Sequence, residues 1–294
     1  MMKNTFNIFK KAAVLFAVAL GLNSCLEKIP GDYILEEDTM NTVADAEQIL
    51  TGIYSAYMSG ALFSGYLTLC PDIQADLVYA VNGNTNTYGN IWQWDIRSTS
   101  SEIESVYAAL YKVIGRCNFY LDQVEDLRAR LTDDVDIMTL DFFTGEVYCA
   151  RALAYSELVK CFCKAYEPAT AENELGVVLK ASYFNEEPVT RASLKATYEF
   201  ILADLEKAEE LLDEENDYYD AAYFTHAAAH AIHARMALYM QDWDAAIEHS
   251  TKLIESDAFA LASARSYATS DQTFLQYLWT NDASLLIDCS DPRN

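Results

Sequence analysis

Three histidines, His226, His230 and His233, recur at spacings of four and three. On a helix that places three imidazoles on one face, where they are able to take a metal ion. The run is not H-E-x-x-H, however. No acid between the histidines serves as a general base, and no residue near them in sequence is an obvious fourth ligand. Packing of a repeat helix is the favoured reading, and the sequence assigns no metal. Upstream, Glu206, Glu209, Glu210, Asp213, Glu214, Glu215 and Asp217 form an acidic run at the end of a helix, where carboxylates oppose the helix dipole. The D-x-[DN]-x-[DN]-G frame of a calcium loop is missing, so a solvated face is expected. Among the 45 acids no pair is singled out for glycoside hydrolysis, and no G-x-S-x-G, phosphate loop or Cys-His-Asn set stands out. No catalysis and no cofactor are expected.

Covalent chemistry is expected at the other end. Lys3, Lys10 and Lys11 precede an apolar run from Ala12 to Leu22, which is too short for a membrane span and has the layout of a secretory signal. Leu22-Asn23-Ser24-Cys25 follows, with the form of a bacterial lipobox, in which the chain is cut before the cysteine and the cysteine is acylated. Residues 1–24 then form a lipoprotein signal peptide, and Cys25 anchors the chain to a lipid bilayer. Two or three acyl chains hold where one is marginal, at ~0.8 kcal/mol per buried methylene. Residues 25–40 carry Pro30, Gly31 and several charges without periodicity, which reads as a tether. The other cysteines, Cys70, Cys117, Cys149, Cys161, Cys163 and Cys289, form no C-x-x-C pair and are expected to be mostly buried thiols. A formal charge of −25 excludes nucleic acid as a partner, because that affinity depends on Lys and Arg neutralising phosphates.

Helical periodicity dominates the rest. Asn41 or Thr42 caps a helix whose stripe is Ala46, Ile49, Leu50, Ile53, Tyr54 and Tyr57, with Gly60 ending it. Further helices run from Glu102 to about Leu131 and from near Asp136 to Cys163. Another carries Tyr198, Ile201, Leu205 and Ala208. Thr225 to Glu255 reads as two helices joined at Gln241-Asp242, with Ala234 and Ala246 where tetratricopeptide helices cross. A last helix with Phe274, Leu278 and Trp279 and a strand-like Leu285-Leu286-Ile287 close the chain. The fold is expected to be mainly α, about eight helices in tetratricopeptide-like antiparallel hairpins with few short strands. Leu62 to Ser101 is the least regular part, a long loop holding Asp72, Asn86, Tyr88, Trp92 and Trp94. Two readings stay open there: the rings pack the loop onto the helices, or they stack on sugar faces while Asn and Asp take the hydroxyls.

Gly145 to Cys163, GEVYCARALAYSELVKCFC, organises the chain. Cys149, Ala152, Leu153, Ser156, Val159 and Cys163 line one face, and Arg151 and Glu157 are charges on an otherwise apolar helix, as in a helix packed on most sides. Its GE...RALAYSELV string resembles the signature helix of the SusD/RagB family of nutrient-uptake outer-membrane lipoproteins. The resemblance extends to A..IL.GIY.AY before it, to Tyr111...Asn118, to Arg191-Ala192-Ser193 with Tyr198, Ile201 and Asp204-Leu205, and to T..AA.A..AR..LY...W..A from Thr225. After Cys163 the chain departs from the family's usual tight turn. The resemblance implies an α-superhelical body over 41–294, shortened at its C-terminus, since family members continue well past this point. It also implies a non-catalytic, lipid-anchored outer-membrane protein facing the cell exterior. Such a protein captures an oligosaccharide, polysaccharide or other large nutrient and delivers it to a TonB-dependent, SusC-like transporter. Trp92, Trp94 and Tyr88, with Asn86 and Asp72, are the candidate ligand contacts. The alternative is a lipid-anchored tetratricopeptide-type adaptor that binds a partner protein along its concave face.

Overall fold

The computed structural model describes residues 39–78, 81, 83, 88–97, 99–184, 189–217 and 221–256. Eight α-helices and two short strands occur among them. The helices are α1 (Val43–Tyr57), α2 (Tyr66–Gln74), α3 (Gly89–Trp92), α4 (Ser101–Arg128), α5 (Asp134–Phe162), α6 (Leu194–Leu211), α7 (His226–Met240) and α8 (Trp243–Ile254). The strands are β1 (Leu175–Val178) and β2 (Arg191–Ser193). The mainly α architecture expected from the sequence is present. No helix among the described residues is long and apolar enough to cross a membrane. The signal peptide, Cys25, Cys289 and the expected last helix and strand lie outside the described residues.

Helix starts follow local chemistry. Thr42 accepts from Asp45 N while the Asp45 carboxylate accepts from Thr42 N, a reciprocal box that satisfies two otherwise orphaned amides. Asp133, Ser193, Thr225 and Asp242 cap α5, α6, α7 and α8 by accepting from first-turn amides. Helix α1 stops at Tyr57, before Gly60. Gly60 instead serves the next turn: its carbonyl accepts from Tyr66 N, and a Cβ on Gly65 would lie 2.0 Å from that oxygen.

Helix α5 lies at the centre, packed on α1, α4, α6 and α7. Gly145 allows the closest approach, since a Cβ there would meet Leu212 Cγ at 2.8 Å. The ionisable side chains in the middle of α5, Glu146, Arg151 and Glu157, are buried and partnered. Arg151 Nε and Nη2 donate to the two Asp204 oxygens at 2.8 and 2.7 Å, and its Nη1 donates to Asn118 Oδ1 at 2.8 Å. Burial alone would lower the Arg151 pKa, and the facing carboxylate overrides it, so the guanidinium stays charged. Glu146 accepts from the Tyr54 hydroxyl, which in turn accepts from Phe224 N at 2.7 Å. Burial pushes the Glu146 carboxyl up to about 7. Glu157 pairs with Lys160 at 2.5 Å.

The segment after Cys163 crosses the α4/α5 face with few strand partners. Tyrosine hydroxyls take their place: Tyr111 Oη bonds Val178 N and O, and Tyr155 Oη bonds Lys180 N and O. The Asp122 carboxylate then accepts from Ser182 Oγ, Tyr183 N and Phe184 N. β1 and β2 pair antiparallel, Leu175 opposite Ser193 and Val178 opposite Arg191.

Candidate functional site

The described residues between Leu62 and Ser101 include two short helices. These, α2 and the single turn α3, meet over a small apolar cluster of Cys70, Ile73 and Ile91, separate from the main core. Tyr66 stands edge-on to Tyr88 with ring centroids 5.9 Å apart. Because Ile91 takes the inward position on α3, the neighbouring tryptophans turn out: Trp92 is 39 % and Trp94 62 % exposed. Trp94 is thus mostly open to solvent, and Trp92 is partly covered.

Tyr88 and Trp94 both have φ of 58°, the left-handed region that bulky residues seldom occupy. Trp94 is held there by its amide, which donates to Ile91 O at 3.1 Å. Asp72 is exposed on α2, and Asn86 lies outside the described residues. Sequence reasoning passed over Asp95 and Arg97, which form a planar fork beside Trp94 with Nε to Oδ1 at 3.0 Å and Nη2 to Oδ2 at 2.9 Å. The hydrogen bond from Arg97 holds the Asp95 carboxyl below the usual range. So exposed a pair adds little to stability. Chemically the patch offers two flat apolar faces with donors and acceptors at their edge, which matches the two kinds of surface on a sugar ring.

The histidines stand elsewhere, and the acidic run beside them is not uniformly solvated. Glu209 on α6 and Asp217 turn inwards, with side chains 15 % and 9 % exposed. Asp217 accepts from Ala227 N at 2.8 Å at the start of α7. Glu209 Oε1 sits 2.8 Å from His233 Nδ1, 3.1 Å from His230 Nδ1 and 3.4 Å from His249 Nδ1. Burial would raise the Glu209 pKa, and hydrogen bonds from His230 and His233 override it and hold the carboxyl at about 2. His249, on α8, is pushed down to about 4 by burial and by His233 beside it. His249 and Glu209 are the partners that the three-histidine spacing lacked. One signal for His249 was present: His233 and His249 lie equally far before and after Gln241, the left-handed turn residue of the α7/α8 hairpin, so they face each other. Their rings stack at 3.6 Å. Nothing local marked Glu209 among its acidic neighbours.

Of the cysteines among the described residues, Cys70, Cys117 and Cys149 are buried, Cys163 is half-buried and Cys161 is exposed. Cys161 ends up exposed because it lies in the last turn of α5, where the packed neighbours run out.

The fold and the buried polar network of α5 define a class of helical protein built around one central, fully packed helix. Residues 32–238 match the SusD-like family model described as "Starch-binding associating with outer membrane", and the chain belongs to that family. It is similar to the SusD-like protein P38 of Formosa agariphila, 23 % identical over 274 residues that cover 87 % of this chain and 48 % of that protein. Among solved structures it resembles a SusD superfamily protein from Bacteroides vulgatus, with TM-score 0.66, 21 % identity, and 78 % of this chain and 51 % of that one covered. A SusD-like carbohydrate binding protein from the same species gives TM-score 0.63 at 19 % identity, over 77 % and 48 % of the two chains. The chain spans about half the length of these relatives.

Proposed function

We propose that this chain is a non-catalytic glycan-capture lipoprotein, anchored in the outer membrane through acylated Cys25, facing the cell exterior and passing its ligand to a TonB-dependent transporter of the SusC type. The observation that carries the binding role is the pair of exposed tryptophans, Trp92 and Trp94, presented by a subcluster that holds itself together through Cys70, Ile73 and Ile91. Tyr88, Asp72, Asp95 and Arg97 are further candidate contacts, and Asn86 is a candidate by residue type alone. Family membership supports a carbohydrate ligand and an outer-membrane setting. Two stacking contacts are worth about 1–3 kcal/mol together.

Glycan-array binding by the full chain, beside a Trp92→Ala, Trp94→Ala double variant, tests the reading. Binding that falls at least about tenfold in the variant supports it. Binding that survives the variant moves the site away from this surface, and an array on which the wild type binds nothing removes the glycan reading. Anchoring is tested separately by Cys25→Ala, which should move the chain from the membrane fraction to the soluble fraction.

A further inference from the structure

We propose that Glu209, His230 and His249 form a binding site for a divalent first-row transition metal ion of the zinc class, joining the end of α6 to the α7/α8 hairpin. The three donor atoms come from three helices and converge: His230 Nδ1 lies 2.8 Å from His249 Nδ1, and Glu209 Oε1 lies 3.1 and 3.4 Å from those two nitrogens. Donors about 2.1 Å from a tetrahedral zinc ion lie roughly 3.4 Å from one another, and in an octahedral shell adjacent donors lie roughly 3.0 Å apart. The observed triangle falls in that range with small adjustment.

Without a metal, an Nδ1–H on one of the two rings is shared between the other ring and Glu209, and with Nδ1–H on both rings two hydrogens meet across 2.8 Å. A cation at the centre gives all three lone pairs a partner. Two imidazoles with one carboxylate are also the donor set that zinc, iron and nickel accept.

The surroundings suit a ligand shell. His233 Nδ1 bonds the same Glu209 oxygen at 2.8 Å, the outer-shell contact that fixes a ligating carboxylate, and it stacks on His249. His230 and His249 are 4 % and 7 % exposed, so little solvent competes for them. A cleft of about 470 Å³, lined by Glu214, Asp217, His230, Lys252 and Glu255 among others, lies against His230. With three protein ligands, the remaining coordination positions fall to water or to a small anionic or neutral donor.

The chain holds only four histidines, so each imidazole is readable in a nitrogen–proton correlation spectrum of the full chain. Titration with Zn²⁺ alone should shift the Nδ1 resonances of His230 and His249 at one equivalent. Competition with a chelator should show affinity falling at least about 100-fold in His249→Ala and in Glu209→Gln and about 10- to 100-fold in His233→Gln. Co²⁺ in place of Zn²⁺ should give ligand-field bands without the sulfur charge-transfer band that thiolate binding at a cysteine produces. Unchanged imidazole resonances at saturating Zn²⁺, uptake that survives His249→Ala, or a sulfur band would each overturn the assignment. Because the spectrum is read on the wild type, its outcome stands whether or not a variant folds.

Discussion

Around Arg151 every charged group is buried and paired, whereas around Trp94 two large apolar rings are left in water. The first region ties α4, α5, α6 and the Lys180 carbonyl together through short hydrogen bonds. The second rests on three buried side chains. It also holds Asp76, Tyr88 and Trp94, three of the four non-glycine residues with positive φ among the described residues. The buried network costs desolvation and returns a single arrangement of helices. The exposed one costs backbone strain and solvent contact and returns a surface. Stability is concentrated in the former and binding in the latter, because the same side chain cannot be both fully packed and free to meet a ligand.

Removing one partner from the buried pair is the most severe way to probe this contrast. Asp204→Ala leaves the Arg151 guanidinium buried without its carboxylate and should lower the unfolding free energy by about 3–5 kcal/mol in urea titration. An Arg151→Met, Asp204→Leu double variant should recover most of it, since the pair fixes geometry more than it adds net stability. A loss under about 1 kcal/mol for Asp204→Ala would mean that the network is not the organising feature.

Glu146 gives a pH-dependent effect of intermediate size. The folded chain keeps its proton up to about pH 7, whereas the unfolded chain releases it near the ordinary value of 4.5. The unfolded state therefore binds fewer protons in that window, so stability falls as pH rises and the loss is complete above about 7. Relative to Glu146→Gln, the wild type should lose about 2–3 kcal/mol between about pH 5 and pH 8. A difference between the two proteins that stays flat across this range would show that Glu146 is ionised in the fold.

The smallest effect belongs to the exposed patch. Trp92→Ala with Trp94→Ala should change the unfolding free energy by no more than about 0.5 kcal/mol, as surface changes away from the core do. A drop of about 2 kcal/mol or more would place the rings in the structural account and erase the contrast.

Much of the fold was legible in the sequence. Helix stripes, Thr and Asp caps, and the Gln241-Asp242 hairpin turn are local, since a helix bonds within itself and its buried face repeats every three or four residues. The charges on α5 announced a helix surrounded by others. The two short helices within Leu62–Ser101 were not legible because α2 is short and α3 is a single turn, too brief for periodicity to register. Candidate residues were nameable there from type alone, but their exposure was not, because it depends on Ile91 taking the inward position.

The sequence by itself determined the helical class, the family and the histidine face, all of which rest on spacing along one segment. Only the tertiary structure decided which acid meets those histidines, which tryptophans face water and what holds Arg151. Those are relations between helices separated by tens of residues, and nothing in the local pattern of one helix specifies which face of another it will meet. Glu209 shows the reason most plainly: its neighbours in sequence are solvated acids, and its neighbours in space are three imidazoles.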